Sequence, residues 1–87
     1  MARPTSKAIN QKKHARRRAA ARYAVNLHDD AQERIVRSIQ SGEARLIRRQ
    51  SQRVGVYEVS HEGKKLPVVY DRKRKTLITV LPEEALD

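Results

Sequence analysis

The sequence predicts an α+β fold: two N-terminal helices packed on a four-stranded antiparallel sheet. Three observations predict it. Small and apolar side chains recur at helical spacing up to about residue 41. From Val54 onward, β-branched runs alternate with short turn segments. The connections between those runs are only a few residues long, which suits an antiparallel meander. The chain has 87 residues, enough for one small domain with a modest core.

Residues 1–7, with Pro4, Thr5 and Ser6, read as a flexible basic tail, and residues 8–87 as a single domain. Residues 8–25 are rich in Ala, Arg, Lys and Gln, all good helix formers. Ala15, Ala19 and Tyr23 give that helix a narrow stripe, suited to close packing of small contact area. A second helix is expected over residues 30–41, capped by Asp29 or Asp30 in a capping-box-like start with Gln32 or Glu33. Ala31, Ile35 and Ile39 share its inner face, and Gly42 is placed to end it.

Four strands follow, over residues 44–50, 54–60, 66–71 and 76–81. His61 to Lys64 and Arg72 to Lys75 supply the turns between the last three. The second run of charge is expected to be a solvated loop. Pro67 lacks an N–H, which favours a sheet edge or the start of a strand. Tyr57 and Tyr70 are expected in or against the core.

Charge is segregated along the chain. Residues 1–28 hold eight basic side chains and no acid, whereas residues 29–87 hold twelve basic and ten acidic ones. Most of the net charge of +10 therefore sits in the first third, and the expected partner is a polyanion, with nucleic acid first. The candidate contacts are Lys12, Lys13, Arg16, Arg17 and Arg22 on the first helix. Arg45, Arg48, Arg49 and Arg53 around the first strand are expected to extend the basic groove toward it.

Other classes find little support. There is no cysteine, so no thiolate chemistry, and a cytoplasmic location fits. Phe and Trp are absent and only three Tyr occur, which argues against stacking platforms for successive bases. No run reaches the roughly 18 apolar residues of a membrane span. The basic start lacks the apolar segment of a secretory signal. Its Arg/Ala-rich composition suits a transit peptide, but it runs into the fold without a break. The three histidines have neither ligand spacing nor cysteine or paired carboxylates beside them, so no metal and no cofactor is expected.

His14, Arg18 and Arg22 are spaced four and four, a row of about 12 Å on a helix. Arginines clamp phosphate oxygens and histidine moves protons near neutral pH. The row thus supplies one acid/base candidate and two phosphate clamps for metal-independent cleavage of RNA. A plain basic binding face is the simpler reading of the same residues. His28 is expected to complement the first helix's C-terminal dipole, and His61 to be solvated. Thr79 interrupts an apolar run and offers a hydroxyl to one face of the sheet.

Beyond these readings, His14-Ala15-x-x-Arg18-x-x-x-Arg22, the Leu66-Pro67-Val68-Val69-Tyr70-Asp71 strand and Ile78-Thr79-Val80, in this order of elements, resemble the barnase–EndoU–colicin–RelE superfamily. That superfamily includes RelE/ParE-like toxins and colicin-type ribonuclease domains; the small proteins resembled are often carried by phages or mobile elements. The resemblance covers about residues 14–81. It implies two helices against a four-stranded antiparallel sheet, RNA as the favoured nucleic acid, and metal-independent endoribonuclease chemistry with His14, Arg18 and Thr79 as catalytic residues. Ala24 departs from relatives that carry Gly near this helix end. Four functions stand as alternatives: a toxin-like ribonuclease, a non-enzymatic binder or regulator of RNA or DNA, an inhibitor or adaptor for an acidic protein, and a membrane-surface helix, which a mostly alanine face without Trp, Phe or Leu to insert disfavours.

Overall fold

The computed structural model describes residues 6–86. Helices α1 (Ser6–Tyr23) and α2 (Asp29–Gln40) precede strands β1 (Arg45–Arg49), β2 (Val54–His61), β3 (Lys64–Asp71) and β4 (Thr76–Val80), and a 3-10 turn, Glu83–Leu86, closes the chain. The strands pair antiparallel in chain order, β1-β2-β3-β4. This is the α+β architecture expected from the sequence. Residues 1–5 of the expected tail lie outside the described residues, while Ser6 and Lys7 already belong to α1.

Both helices pack on one face of the sheet. Ala15 and Ala19 of α1, and Ala31, Ile35 and Ile39 of α2, meet Val59, Leu66, Val68, Tyr70, Leu77 and Val80 in one core cluster. Helix α1 lies along β4, with alanine at the contact so that backbone approaches backbone. Tyr57 and Tyr70 meet edge to face, centroids 6.1 Å apart, a favourable quadrupole arrangement.

Two helix ends differ in detail from expectation. The N-cap of α2 is His28, whose Nδ1 accepts from the Ala31 N–H at 3.3 Å. Asp29 and Asp30 instead occupy the first turn, where their charge favours the helix dipole. His28 therefore serves the second helix rather than the end of the first. Gly42 ends α2 as expected, at φ +86°. The Glu43 and Gly42 N–H groups close a Schellman motif on Ser38 and Ile39 carbonyls.

At the end of α1, Ala24 takes the left-handed conformation, φ +54°. A side chain there costs roughly 1–2 kcal/mol, partly offset by the extra unfolded-state freedom that glycine brings. Ala24→Gly is accordingly expected to stabilise the fold, raising Tm by about 3 °C in a thermal melt. An unchanged or lower Tm would show that the turn is unstrained with alanine.

Pro67 lies inside the central strand β3, not at an edge or a strand start. The reason is a substitute donor. The Leu81 N–H donates to the Pro67 carbonyl at 2.8 Å, so residue 67 would have returned a bond to the Leu81 carbonyl. Proline has no such hydrogen, and the Tyr23 hydroxyl donates to that carbonyl at 2.6 Å. Burial, followed by the charge of Glu83, raises the Tyr23 pKa. Tyr23→Phe leaves the carbonyl unpaired and is expected to cost about 1–2 kcal/mol, seen as a lower midpoint in urea denaturation.

Candidate nucleic-acid interface

Ala15 and Ala19 mark the buried side of α1, and every described cation of the helix lies elsewhere. Lys12, Lys13, Arg16, Arg17, Arg18 and Arg22 are all exposed. At about 100° per residue, they divide into two flanks. Lys12 and Arg16 fall on one side of the buried stripe, His14 and Arg18 on the other, with Lys13 and Arg17 facing outward. Lys12, Lys13 and Arg16 line a cleft of about 350 Å³ with Asp29 and Gln32 of α2. The His14–Arg18–Arg22 row is turned away from α2, on the side of the free β4 edge.

His14 is half-buried beside that row. Thr79 is not brought to it. Val80 pairs with Val68 in the core, and Thr79 pairs with Val69, so Thr79 lies on the sheet face opposite the helices. A bulge at Ile78 produces this. Tyr70 pairs with Leu77 and Val69 with Thr79, and the extra residue turns Thr79 outward. The three expected catalytic residues thus divide between opposite faces of the sheet.

The arginines near β1 do not continue the α1 surface. β1 is one edge of the sheet and α1 lies over the other, so β2 and β3 intervene. Arg45 pairs with Glu58 at 2.6 Å and also donates to the Leu86 carbonyl. Its bond, above all, holds the Glu58 carboxyl below its ordinary pKa. Arg48 and Arg49 are exposed. Arg53 is tied to Asp71 at 2.9 Å.

Asp71 organises that end of the sheet. Its side chain is 2% exposed. Oδ1 accepts from the N–H groups of Lys73 and Arg74, and Oδ2 from Arg53 and Arg74. Burial disfavours the charge, but these donors overcome it and hold the pKa at about 2. Arg74 is thus a structural partner and not part of a freely solvated run. His61 likewise departs from expectation: it ends β2, its side chain is only 10% exposed, and Nε2 lies 3.8 Å from the Glu62 carboxylate.

Gln32 was not among the sequence candidates. It is 4% exposed on the inner face of α2. Its Nε2 donates to the Lys12 carbonyl at 3.1 Å and the Leu27 carbonyl at 2.9 Å, tying the two helices together. Its spacing to Ile35 and Ile39, three and seven residues on, was the available signal: a polar residue inside an apolar stripe.

Among the described residues, no group of three or more His, Cys, Asp or Glu gathers as a metal site, and no helix is long and apolar enough to cross a membrane. Comparison with family models, with curated proteins and with solved structures found no match to this chain.

Proposed function

We propose that the protein binds nucleic acid, RNA before DNA, by laying the solvent side of α1 along the phosphate backbone. The observation that carries the reading is the set of six exposed cations on α1, mounted on a helix whose alanine side is fixed to the sheet. A rigid mount places the charges without a backbone ordering cost at binding. No described residue engages the guanidiniums of Arg16, Arg17, Arg18 and Arg22, which suits them to bidentate phosphate contacts.

Binding rather than cleavage fits the geometry better. Thr79 faces away from His14, and the clefts that Lys12, Lys13, Arg16 and Arg22 line do not include His14. A metal-free cleavage needs both a base and an acid at the phosphate, and this row offers one titratable group. The likeness to metal-independent ribonucleases remains a proposal for ancestry and RNA preference.

The test is binding to single-stranded RNA and to duplex DNA over a salt series. If about four to six phosphates are neutralised, log K should fall against log salt with a slope between about −3 and −4 on the single strand. Salt-independent binding, or binding to an acidic protein but to neither nucleic acid at low salt, would overturn the reading. Cleavage of RNA in EDTA that disappears in His14→Ala would restore the ribonuclease.

A further inference from the structure

The β1–β2 connection and the β3–β4 turn meet at one end of the sheet. There Arg49, Gln52, Arg53, Arg72 and Lys73 line an open hollow of about 670 Å³. The two turns are bound to each other. The Arg72 N–H donates to the Arg53 carbonyl at 2.7 Å, and the Arg72 guanidinium to the Gln52 carbonyl at 3.4 Å. The Arg53 guanidinium is held by Asp71 at 2.9 Å. Ser51 Oγ accepts from the N–H groups of Arg53 and Val54 and shapes the first turn. Two of the arginines are therefore fixed in place by the fold.

Donors far outnumber acceptors around this hollow. A guanidinium carries five N–H donors, and Arg53 and Arg72 each commit one to a described residue. The side chains of Arg49 and Lys73 commit none. The Gln52 and Arg53 carbonyls already accept from Arg72. None of the described carboxylates lines the hollow. Asp71 lies beneath it with its side chain 2% exposed, taken up by four donors. Four cations thus surround one space, and their mutual repulsion is relieved by an anion between them.

We propose that this hollow binds an oligophosphate, inorganic or carried on a nucleoside, through its phosphates alone. No residue of α1 lines it, and the inference does not rest on the nucleic-acid reading above. A single phosphate monoester carries about −1.5 to −2 charge at pH 7, too little to balance four cations, whereas linked phosphates match them. Arginine takes phosphate oxygens two at a time, and Lys73 adds a rotatable ammonium beside the planar groups. An open site also suits so charged a ligand. An enclosed cavity would strip its water at large cost, but here the outer side stays hydrated. No aromatic side chain lines the hollow. Tyr57 and Tyr70 meet each other on the helix face of the sheet, so neither is offered to a nucleobase. An RNA backbone spreads its charges along a line, whereas these cations gather about one point.

The experiment is calorimetric titration with tripolyphosphate, orthophosphate, ATP and GTP at constant low ionic strength, without divalent cations. Tripolyphosphate should bind roughly tenfold tighter than orthophosphate, and Arg49→Gln with Lys73→Gln should remove about that factor. Arg17→Gln with Arg18→Gln on α1 removes the same charge and should leave this binding unchanged. The ligand should also raise the wild-type Tm, more than that of the Arg49 and Lys73 variant at equal concentration. Should a melt show that variant unfolded, Lys73→Gln alone carries the comparison, with a loss of about threefold. Nucleotides as tight as tripolyphosphate identify the phosphate chain from either source as the ligand, and weaker nucleotides identify the inorganic form. A difference between ATP and GTP overturns recognition through phosphates alone. Equal affinity for orthophosphate and tripolyphosphate, or equal losses in the two double variants, overturns the site in favour of bulk charge. Displacement of tripolyphosphate by equimolar oligouridylate overturns it in favour of an RNA track.

Discussion

Replacing Arg17 and Arg18 together by glutamate should weaken binding to single-stranded RNA by about 100-fold at low salt and flatten the salt slope by about two. Both side chains are exposed on α1, and among the described residues neither makes a side-chain hydrogen bond or ion pair. The matched control is Arg48→Glu with Arg49→Glu on β1. It changes the net charge by the same amount, but at the opposite edge of the sheet. A few-fold loss is expected there, because a charge beyond about 10 Å of the bound strand is largely screened at 0.1 M salt. Equal losses from the two pairs would show that bulk charge, and not the α1 surface, attracts the nucleic acid. Thermal melts of both variants should match the wild type, which separates a binding effect from an unfolding one.

Asp71→Asn should be the most destabilising conservative change in the sheet, lowering stability by about 3 kcal/mol and Tm by about 15 °C for a domain of this size. The carboxylate ties the Arg74 guanidinium and the Lys73 and Arg74 N–H groups of the β3–β4 turn to Arg53 of the β1–β2 connection. An amide of the same shape keeps the acceptor for the turn but loses the charge opposing Arg53 and half-buried Arg74. The effect must also depend on pH. The folded pKa of about 2 lies below the ordinary aspartate value of 3.8, so the unfolded chain binds the proton more readily. The contribution is therefore full above about pH 5 and falls away between about pH 4 and pH 2, amounting to about 2 kcal/mol. The stability gap between wild type and Asp71→Asn should narrow over that interval. A gap independent of pH would mean that the carboxylate is not held ionised by its arginines.

Local signals carried much of the fold. The stripe of Ala31, Ile35 and Ile39 on α2 and Gly42 after it locate that helix within one residue at each end. The β-branched runs locate β2, β3 and β4 to within two residues. Caps were less legible. Asp29 and Asp30 are better known N-caps than histidine, but His28 is the residue that turns extended before the helix, with ψ 172°. Pro67 misled for a related reason. The rule that proline avoids central strands concerns its missing N–H, and a tyrosine 44 positions away in sequence fills that gap here.

By itself the sequence determined the order of elements, the two-helix and meander architecture, and the concentration of most of the uncompensated positive charge in the first third of the chain. These are properties of composition and of periods of two and 3.6 residues, which neighbouring residues set among themselves. The tertiary structure alone decided which cations face α2 and which the free β4 edge, and that the β1 arginines stand at the far side of the sheet. It also decided that Thr79 turns away from His14. Without the bulge at Ile78, alternation would have placed Thr79 on the same face as Leu77; one extra residue reverses it. The tie from Gln32 to the Lys12 carbonyl is likewise visible only once α1 and α2 meet. Strand order, bulge parity and the pairing of buried polar groups depend on contacts between segments distant in sequence, and no local pattern encodes them.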